Sequence, residues 1–360
     1  MWHLIGLLSY SRTTIGYSAD HMKSLQMLGL GKTELAETDE PEPVDDLVVV
    51  KIMSSMICGT ERTAFNAKRA LKNVGGAGHE AAGIIFKTDK AQKVKEGDRV
   101  SIYPTTFENC HQCPACHEGE WLHCGNPRPK RSPMGTHTQY MLVPEYLCLP
   151  IPDDLSFDTC AMIDDCIGTA YKAIKRLNVT AGDIVLITGT GPIGAAANII
   201  CKFFNATTIA VDINDYRLQQ IASCGADFTF NADKDRVLEN IKEITDNQGA
   251  DVAIDCSGMD VAQVQCLNAA RSFGRVAFLG IKSEQTSIRV LQQFILKELT
   301  VIGSWASTPP QHFEIINLIQ QGMPVDQLIT HRFGMSEAPI AFEKFFAGDA
   351  VKVAINPWDL

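Results

Sequence analysis

The chain has 360 residues, more than a single hydrophobic core usually serves, so its length favours two domains. With 45% hydrophobic and 21% charged residues it has the composition of an ordinary globular protein, neither disordered nor fibrous. Its net charge of −10 disfavours a nucleic-acid-binding surface, which needs a concentrated basic face. No apolar run approaches the roughly 18 residues that cross a bilayer. We therefore expect small molecules as partners, and neither nucleic acid nor a membrane.

Residues 1–21 are excluded from the fold prediction. The apolar patch at residues 4–8 has no basic residue before it and no convincing cleavage site after it, so it does not indicate a signal peptide. The domain pattern begins with a strand-like segment at residues 23–27. We interpret residues 1–21 as an N-terminal extension, either artificial or produced by an alternative start.

Two patterns of secondary structure follow each other along the chain. From residue 22 to about 158, short strands alternate with turn residues, which predicts a β-rich, barrel-like unit. Within it, the acidic run at residues 34–46 is interrupted by two prolines and is interpreted as a solvated connecting loop. From about residue 182, apolar strands alternate with helical segments, which predicts a doubly wound parallel sheet. The six predicted strands are residues 184–188, 208–211, 228–230, 252–254, 275–279 and 299–302.

The rest of the chain, after residue 303, contains a predicted helix at residues 311–321 and a short β/α tail. This tail is too small to fold alone. We expect it to rejoin the first, β-rich unit.

A glycine motif lies between the first strand of the parallel sheet and a predicted helix at residues 195–204, the context that makes such a motif specific for a dinucleotide. Gly189 permits a tight turn, Gly191 lets backbone N–H groups approach a pyrophosphate, and Gly194 lets the helix pack on the strand. Pro192 suits a first helical turn, and Ile193 follows it within the motif.

An acidic residue ends the second strand of the same sheet. Asp212 can accept hydrogen bonds from the ribose hydroxyls of an adenosine, and its charge would repel a 2′-phosphate. The next two residues offer no compensating cation, and Arg217 lies a helical turn further on. We therefore expect NAD rather than NADP as the cofactor.

Four of the twelve cysteines lie within fifteen residues, at Cys110, Cys113, Cys116 and Cys124. Their spacing is typical of a loop that wraps a tetrahedral zinc ion, with two disulfides or an iron–sulfur cluster as alternatives. Iron–sulfur loops place the fourth cysteine sooner or far away, usually beside proline, whereas here it is followed by glycine. Four ligands leave no position for a substrate, so this zinc would be structural. The other cysteines are scattered, which favours a reduced, cytoplasmic chain.

An open metal site needs a second set of ligands. Cys58 lies in the sequence Cys-Gly-Thr-Glu, and His79 with Glu80 follows Gly78. A thiolate, an imidazole and a carboxylate would hold zinc and leave a position for a substrate oxygen. Spacing alone does not pair these residues, because an isolated cysteine or histidine is more often part of a core.

Together, these motifs resemble the zinc-dependent medium-chain alcohol dehydrogenase superfamily over residues 22–360. The chain is most similar to its polyol, sorbitol-like and threonine dehydrogenases. The resemblance implies an α/β fold with a GroES-like β-rich catalytic domain, residues 22–166 and 307–360, and a Rossmann doubly wound parallel sheet, residues 167–306. Members usually pair through the last strand of this sheet, near residues 299–302, so a homodimer or homotetramer is expected.

The resemblance also implies the ligands of a catalytic zinc. Cys58 and His79 match two of them, and alignment of residues 168–170 with the family places Asp165 where liver-type enzymes have a third cysteine. Glu80 is expected as an intermittent ligand or as an outer partner of the ligands. This chain has Cys166 after the carboxylate where the branch usually has proline, so Cys166 remains an alternative third ligand.

Roles for other residues follow from the same comparison. Thr60 would accept the proton of the substrate hydroxyl and pass it to the nicotinamide ribose, while Thr169 matches a threonine beside the nicotinamide. Glu61 replaces the family's aspartate and is expected to hold His79. Thr63 stands where many members have a proton-relaying histidine, so that relay is absent or rerouted.

His137 lies in a segment that resembles one found before a tyrosine in this family. We expect it either to face the substrate or to pack in the core. The implied reaction is the reversible oxidation of a secondary alcohol of polyol, sugar or cyclitol type, with hydride transfer to NAD. Oxidation of an amino-acid side chain, as in threonine 3-dehydrogenases, is the alternative activity. A non-catalytic nucleotide-binding zinc protein is disfavoured, because a binder has no need of an open metal site.

Overall fold

The computed structural model describes residues 17–71, 76–105, 107–131, 135–283 and 285–360. It opens with an antiparallel ribbon of β1 (Tyr17–Gly29) and β2 (Lys32–Pro41), in which Tyr17 lies opposite Pro41. Residues 17–21 therefore pair as part of a strand, although the predicted extension included them; residues 1–16 lie outside the described chain.

The ribbon also corrects the interpretation of the acidic run. Its residues 34–41 form most of β2 rather than a loop, since exposed and less exposed positions alternate along the strand. The carboxylates find cations on neighbouring strands: Glu37 lies 2.5 Å from Lys23, and Glu40 lies 2.7 Å from Lys87. Pairing with β1 and contacts with these cations outweigh the low strand preference of charged residues.

The β-rich unit continues with strands and short helices. In chain order these are β3 (Leu47–Met56), α1 (Arg62–Phe65), β4 (Glu80–Lys87), β5 (Arg99–Ile102), α2 (Pro114–His117), β6 (Tyr140–Pro144), β7 (Cys148–Pro150), α3 (Phe157–Ala161) and α4 (Gly168–Arg176). A π-helical turn, Ile163–Ile167, leads directly into α4. Such turns often mark functional sites.

The second pattern forms the predicted parallel sheet. Its elements are β8 (Ile184–Thr188), α5 (Pro192–Phe203), β9 (Thr207–Asp212), α6 (Asp215–Ser223), β10 (Phe228–Asn231), α7 (Val237–Ile244), β11 (Ala250–Asp255), α8 (Asp260–Ala269), β12 (Ala270–Phe278) and β13 (Thr300–Gly303). The strand order is β10-β9-β8-β11-β12-β13, and all pairs are parallel. The doubly wound sheet is thus confirmed, and its order reverses between β8 and β11, where such sheets bind ligands at the carboxyl ends of their strands.

The tail after the parallel sheet returns to the β-rich unit. It consists of α9 (Pro309–Gln320), β14 (Ile329–Gly334), α10 (Ala338–Ala347) and β15 (Lys352–Asn356). These strands extend one mixed sheet in the order β14-β15-β3-β4-β5-β7, with β6 also paired to β3. Ala354 of β15 lies opposite Met56 of β3, so the end of the chain is adjacent to the strand that leads into Cys58.

One buried apolar cluster is shared by the two units. It contains Met56 and Ala82 of the mixed sheet, Ile174 of α4, and Ile187 and Ile254 of the parallel sheet. Because side chains from both sheets fill one core, the cleft between the sheets has fixed walls. No helix in the described ranges is long and apolar enough to span a membrane.

A buried polar network anchors the π-helical turn. His312 of α9 lies with Nδ1 3.0 Å from Asp164 Oδ1, and its Nε2 is 2.9 Å from the carbonyl oxygen of Pro150. Asp164 also accepts a hydrogen bond from the Ser101 hydroxyl, and its backbone oxygen accepts one from Ser307 Oγ at 2.6 Å. Burial lowers the pKa of His312, but the charge of Asp164 and these hydrogen bonds outweigh burial, so the pKa is raised.

We expect His312→Gln to reduce the free energy of unfolding by an amount that depends on pH. The folded pKa of His312 lies above the unfolded value of about 6.5. The stabilisation by the charged pair is therefore complete below that value and is lost as pH rises through the folded pKa. Urea unfolding between about pH 6 and 9 should show the difference between variant and wild type shrinking.

The matched control is His331→Gln on β14. Burial and the charge of Lys344 lower the pKa of His331, so its contribution should change with pH in the opposite direction. If the difference in the free energy of unfolding between wild type and His312→Gln stayed constant over this pH range, it would contradict the charged pair of His312 with Asp164.

Candidate active site

Four side chains from three parts of the chain meet in the cleft. Cys58 follows β3, His79 and Glu80 lie at the start of β4, and Asp165 lies in the π-helical turn. Their ligand atoms all lie within 4.8 Å of one another. Asp165 Oδ2 is 3.0 Å from His79 Nε2 and 3.5 Å from Cys58 Sγ. The antiparallel pairing of Met56 with Glu80 brings the end of β3 beside the start of β4.

The chemistry of this cluster fits a divalent metal ion. Glu80 Oε1 lies 2.5 Å from Lys352 Nζ, whereas Glu80 Oε2 is buried and has no hydrogen-bond partner in the described chain. Such an orphaned oxygen is costly unless another group satisfies it. A thiolate, an imidazole and a carboxylate are the donors that zinc prefers, and three of them leave a position open. Cys58, His79 and Asp165 therefore suit a zinc ligand set, with Glu80 beside them.

Burial and neighbouring charges shift the pKa values of these groups in different directions. Burial lowers the pKa of His79, but the charge of Cys58 and the hydrogen bond with Asp165 raise it well above its usual value. Burial would raise the pKa of Asp165, yet the hydrogen bond and charge of His79 hold it below its usual range. Burial raises the pKa of Glu80 to about 7 although the charge of Lys352 opposes this. The cluster thus holds a charged His79 and Asp165 together before any ion is considered.

The structure distinguishes the two candidates for the third ligand. Asp165 belongs to the cluster, whereas Cys166 is not part of it. Cys166 is buried in the apolar core shared by the two sheets, and burial raises the pKa of its thiol. The geometry therefore favours Asp165 over Cys166 as the third ligand.

Two threonines flank the cluster. Thr60 Oγ1 donates to Cys58 Sγ at 3.4 Å and is exposed, so it lies on the open side of the site. Thr169 Oγ1 donates to Asp165 Oδ1 at 3.4 Å, one helical turn after it. Thr63 is exposed on α1.

The expected contact between Glu61 and His79 is not formed. Glu61 Oε2 instead accepts a hydrogen bond from the backbone N–H of Cys58 at 2.9 Å, and Oε1 lies 3.3 Å from His137 Nε2. Nδ1 of His137 is 2.6 Å from Ser55 Oγ, and the ring is fully buried. His137 therefore supports Glu61 from the core and does not face an open substrate site. The longer side chain of glutamate gives this reach, which the motif alone did not reveal.

The four neighbouring cysteines form a second cluster, in the loop between β5 and β6. Their sulfurs lie within 4.8 Å of one another, and all twelve cysteines of the chain are free thiols. The backbone N–H of Gly125 donates to Cys113 Sγ, and that of Cys110 to Cys124 Sγ, both at 3.4 Å. The Gly125 N–H is the main cause of a Cys113 pKa near 6. Thiolates held in this way suit a closed tetrahedral zinc site.

The glycine turn opens at the carboxyl ends of β8 and β11. Gly189 has φ +82°, and a Cβ added to Gly194 would lie 1.9 Å from the Gly189 carbonyl oxygen, so both positions require glycine. Gly191 is the N-cap of α5, Pro192 begins the helix, and Ile193 packs against the shared core. The N-terminus of α5 thus presents free N–H groups, the usual binding site of a pyrophosphate.

The carboxylate of Asp212 fixes this turn. It accepts hydrogen bonds from the backbone N–H and hydroxyl of Thr190, at 2.6 and 3.0 Å, and from the N–H groups of Ile213 and Asn214. Arg217 Nη1 lies beside the turn, 3.8 Å from where a Cβ on Gly191 would be. The carboxylate and the guanidinium therefore both lie beside the predicted pyrophosphate site.

A cavity of about 590 Å³ lies between the cysteine loop, α4 and the ends of β12 and β13. The cysteine loop contributes Glu120 and His123 to its walls, α4 contributes Lys172 and Arg176, and the ends of β12 and β13 contribute residues 278–281 and 303–305. Sequence reasoning missed both cations of α4. They follow Asp165 by seven and eleven residues, a spacing that places all three on one helix face. This spacing could have indicated them from the sequence.

Comparisons with known proteins agree with this geometry. The family model for the alcohol dehydrogenase GroES-like domain matches residues 44–153, and that for zinc-binding dehydrogenases matches residues 192–321. An L-threonine 3-dehydrogenase of Shewanella baltica is 31% identical over 334 residues, covering 89% of this chain and 95% of that protein. A sorbitol dehydrogenase of Halalkalibacterium halodurans is 26% identical over 336 residues, covering 92% and 97%.

Among solved structures, a zinc-binding dehydrogenase from Sinorhizobium meliloti bound to NADP superposes with a TM-score of 0.81 and 26% identity, covering 94% of this chain and 100% of that one. These matches confirm the predicted combination of a GroES-like and a Rossmann fold, and span nearly the whole chain. The chain accordingly belongs to the zinc-type medium-chain alcohol dehydrogenase superfamily, a family of oxidoreductases.

Proposed function

We propose that this protein is a zinc-dependent dehydrogenase that transfers a hydride between a secondary alcohol, of polyol, sugar or cyclitol type, and NAD. The observation that carries the proposal is the meeting of Cys58, His79 and Asp165 in one cluster, in a chain whose parallel sheet also carries the glycine turn at residues 189–194. Zinc held by these three side chains, with Glu80 as a further oxygen donor, supplies Lewis-acid polarisation of the substrate oxygen.

The chain's own residues then bind the alcohol and move its proton. The hydroxyl proton released on oxidation would pass to Thr60 Oγ1, which lies beside Cys58, while bound NAD would supply the hydride acceptor. Because Thr60 is exposed, the proton would then reach the nicotinamide ribose or water without a histidine at position 63. Thr169, hydrogen-bonded to Asp165, borders the side on which the nicotinamide would lie.

NAD is the proposed cofactor because a carboxylate residue, Asp212, ends β9, where it would repel a 2′-phosphate. A related structure contains NADP, so both dinucleotides belong in the test. Threonine 3-dehydrogenation is the second candidate activity, supported by the relatives of that name at about 30% identity. The threonine at position 63 counts against it.

The test follows NADH absorbance with the zinc-loaded protein over a panel of polyols, sugars, cyclitols, L-threonine and simple alcohols. We expect turnover of a polyol-type alcohol, faster with NAD than with NADP, and its loss on chelation. Asp165→Asn should lower kcat/KM by about 100-fold or more, because even outer partners of metal ligands contribute about 10–100-fold. The control Asp153→Asn changes an exposed carboxylate and should retain full activity. Turnover of threonine alone, or of nothing on the panel, would contradict the proposal.

A second prediction concerns metal content. We expect two zinc ions per chain, measured by elemental analysis of purified protein. Cys113→Ser should remove the ion of the cysteine loop and lower the melting temperature, because closed zinc sites contribute folding energy. Asp165→Asn should remove the other ion. One equivalent in the wild type, all of it lost in Cys113→Ser, would refute a catalytic zinc.

We propose that two copies of the chain associate through the edge of the parallel sheet. β13 is the last strand of that sheet, and the segment before it exposes Val290, Leu291, Ile295 and Leu296 by half or more. An exposed edge strand beside such an apolar patch is typical of an interface.

Light scattering should therefore report a dimer or tetramer. Leu296→Asp should shift it towards the monomer, because a buried, unpaired charge opposes association. The control Ile340→Asp changes an equally exposed apolar residue on α10 and should leave the mass unchanged. A monomeric wild type would contradict the proposal.

A further inference from the structure

We propose that His137 is a positioning residue for the metal cluster, because its buried ring restrains the segments of Cys58 and His79 at the same time. His137 is not among the four residues of the cluster, so it acts through other residues. The inference rests on the proposed function in one respect, since the ion held by Cys58, His79 and Asp165 belongs to that proposal.

The contact of His137 with Glu61 is the first of the two restraints. Nε2 of the ring and Oε1 of the carboxylate are 3.3 Å apart, and neither atom has a hydrogen-bond partner elsewhere in the described chain. His137 is 0% and Glu61 only 8% exposed, so water does not replace this contact. A carboxylate oxygen left alone in the interior is costly. The two side chains therefore hold each other in place.

Ser55 sets the direction of this contact. Its Oγ lies 2.6 Å from His137 Nδ1, the shortest hydrogen-bond contact of this hydroxyl. In a neutral imidazole one nitrogen donates and the other accepts, whereas a carboxylate only accepts. Both contacts are satisfied when Ser55 donates to Nδ1 and Nε2 carries the hydrogen that faces Glu61.

Glu61 transmits the restraint to Cys58. Its Oε2 accepts a hydrogen bond from the backbone N–H of Cys58 at 2.9 Å, and its own backbone N–H donates to the Cys58 carbonyl oxygen at 3.2 Å. These two bonds close the turn from Cys58 to Glu61. Because His137 fixes the other carboxylate oxygen, the turn and the thiol that it carries keep one position.

The second restraint acts on the segment before His79. Gly78 has φ +92°, and a Cβ added there would lie 3.0 Å from both Cδ2 and Nε2 of His137. The ring therefore packs directly on the Gly78 backbone, an approach that requires glycine. The backbone N–H of His137 also donates to the carbonyl oxygen of Ala77 at 2.9 Å. The residue before His79 is thus fixed against the same ring that holds Glu61.

The two nitrogens distinguish this role from simple packing. Phe342 covers the ring from another side, with centroids 5.6 Å apart and planes at 88°. A phenylalanine at position 137 would fill the same apolar space, but only a ring with two nitrogens meets both Ser55 and Glu61. Variants that separate ring volume from hydrogen bonding therefore test the inference.

The first measurement is hydrogen exchange of a peptide that contains the Cys58 amide, in the full-length protein as purified. His137→Phe keeps a ring and removes both nitrogens, so we expect faster exchange of this amide because Glu61 loses its partner. His137→Gln, whose amide can donate in place of Nε2, should retain most of the protection. A peptide from β8, residues 184–188, should exchange equally in all variants.

The second measurement concerns the metal. In His137→Phe, the zinc affinity of the cluster, measured by competition with a chelator, should fall by about 10- to 100-fold, the usual effect of losing an outer partner of the ligands. The visible bands of the cobalt-substituted protein should shift, since they report ligand geometry. His137→Gln should restore both towards the wild type. Absorption by an ion in the cysteine loop is common to all variants and cancels in the difference spectrum.

Phe345→Leu is the matched control for loss of packing. Phe345 is 2% exposed and lies in the same apolar core as Phe342, but its side chain forms no hydrogen bond. Its substitution should lower the melting temperature and leave Cys58 exchange and zinc affinity unchanged. If it loosens Cys58 as much as His137→Phe does, or if His137→Gln is as damaging as His137→Phe, packing is the cause and the inference is overturned.

A milder variant keeps the test available if His137→Phe does not fold. Ser55→Ala removes only the partner of Nδ1 and should produce the same changes in Cys58 exchange and zinc affinity to a smaller extent. Exchange and affinity that stay at the wild-type values in Ser55→Ala would then overturn the inference.

Hydrogen exchange also keeps this inference separate from the proposed function. A wild type that binds no ion at the cluster, or oxidises no alcohol, would refute the proposed function, and faster Cys58 exchange in His137→Phe would still retain the restraint. Turnover by the wild type, together with Cys58 exchange that His137→Phe leaves unchanged, would retain the function and overturn the inference.

Discussion

The donor atoms of Cys58, Glu80 and Asp165 lie within 4.8 Å of one another and of His79, and the need to balance three acidic groups held this close is the constraint on which the rest of the structure depends. Such groups stay together only when positive charge balances them. His79 supplies one charge through its raised pKa, Lys352 supplies another through its contact with Glu80, and a divalent ion suits the remaining oxygen.

The elements around the cluster follow from this requirement. The pairing of β3 with β4 brings Cys58 to His79, and the network of His312 and Asp164 fixes the turn that carries Asp165. Glu61 holds the backbone of Cys58 and is itself held by His137. Cys58 is therefore restrained from within its own segment and the turn of Asp165 by a distant helix, and such restraints keep a metal site in one geometry.

The parallel sheet could be predicted from sequence because its signals are local. Apolar runs punctuated by glycine gave strand bounds that agree closely with the structure, as in β8 at residues 184–188. The strand at residues 34–41 was missed because its carboxylates are balanced by lysines on other strands, a non-local effect. The residues of the metal cluster were proposed from the family resemblance, since spacing cannot bring together positions 58, 79 and 165.

Contacts between distant residues explain why the other features of the site could not be predicted from the sequence. The close approach of Glu61 to His137 depends on the length of a glutamate side chain in a particular packing, and the motif does not contain that information. The cavity arises where the cysteine loop meets α4, through the contact of Glu120 with Lys172. The cysteine loop, which would hold a structural metal, thus also forms part of the wall of this cavity. Variation of such wall residues lets one chemical scaffold take different alcohols.

The fully buried ion pair of Glu80 with Lys352 joins residues that are 272 positions apart. Lys352 is the first residue of β15, close to the end of the chain. During synthesis, the candidate ligands at positions 58, 79 and 165 leave the ribosome before Lys352, the cation that pairs with Glu80. A chain that ends before residue 352 would therefore leave Glu80 buried without its cation.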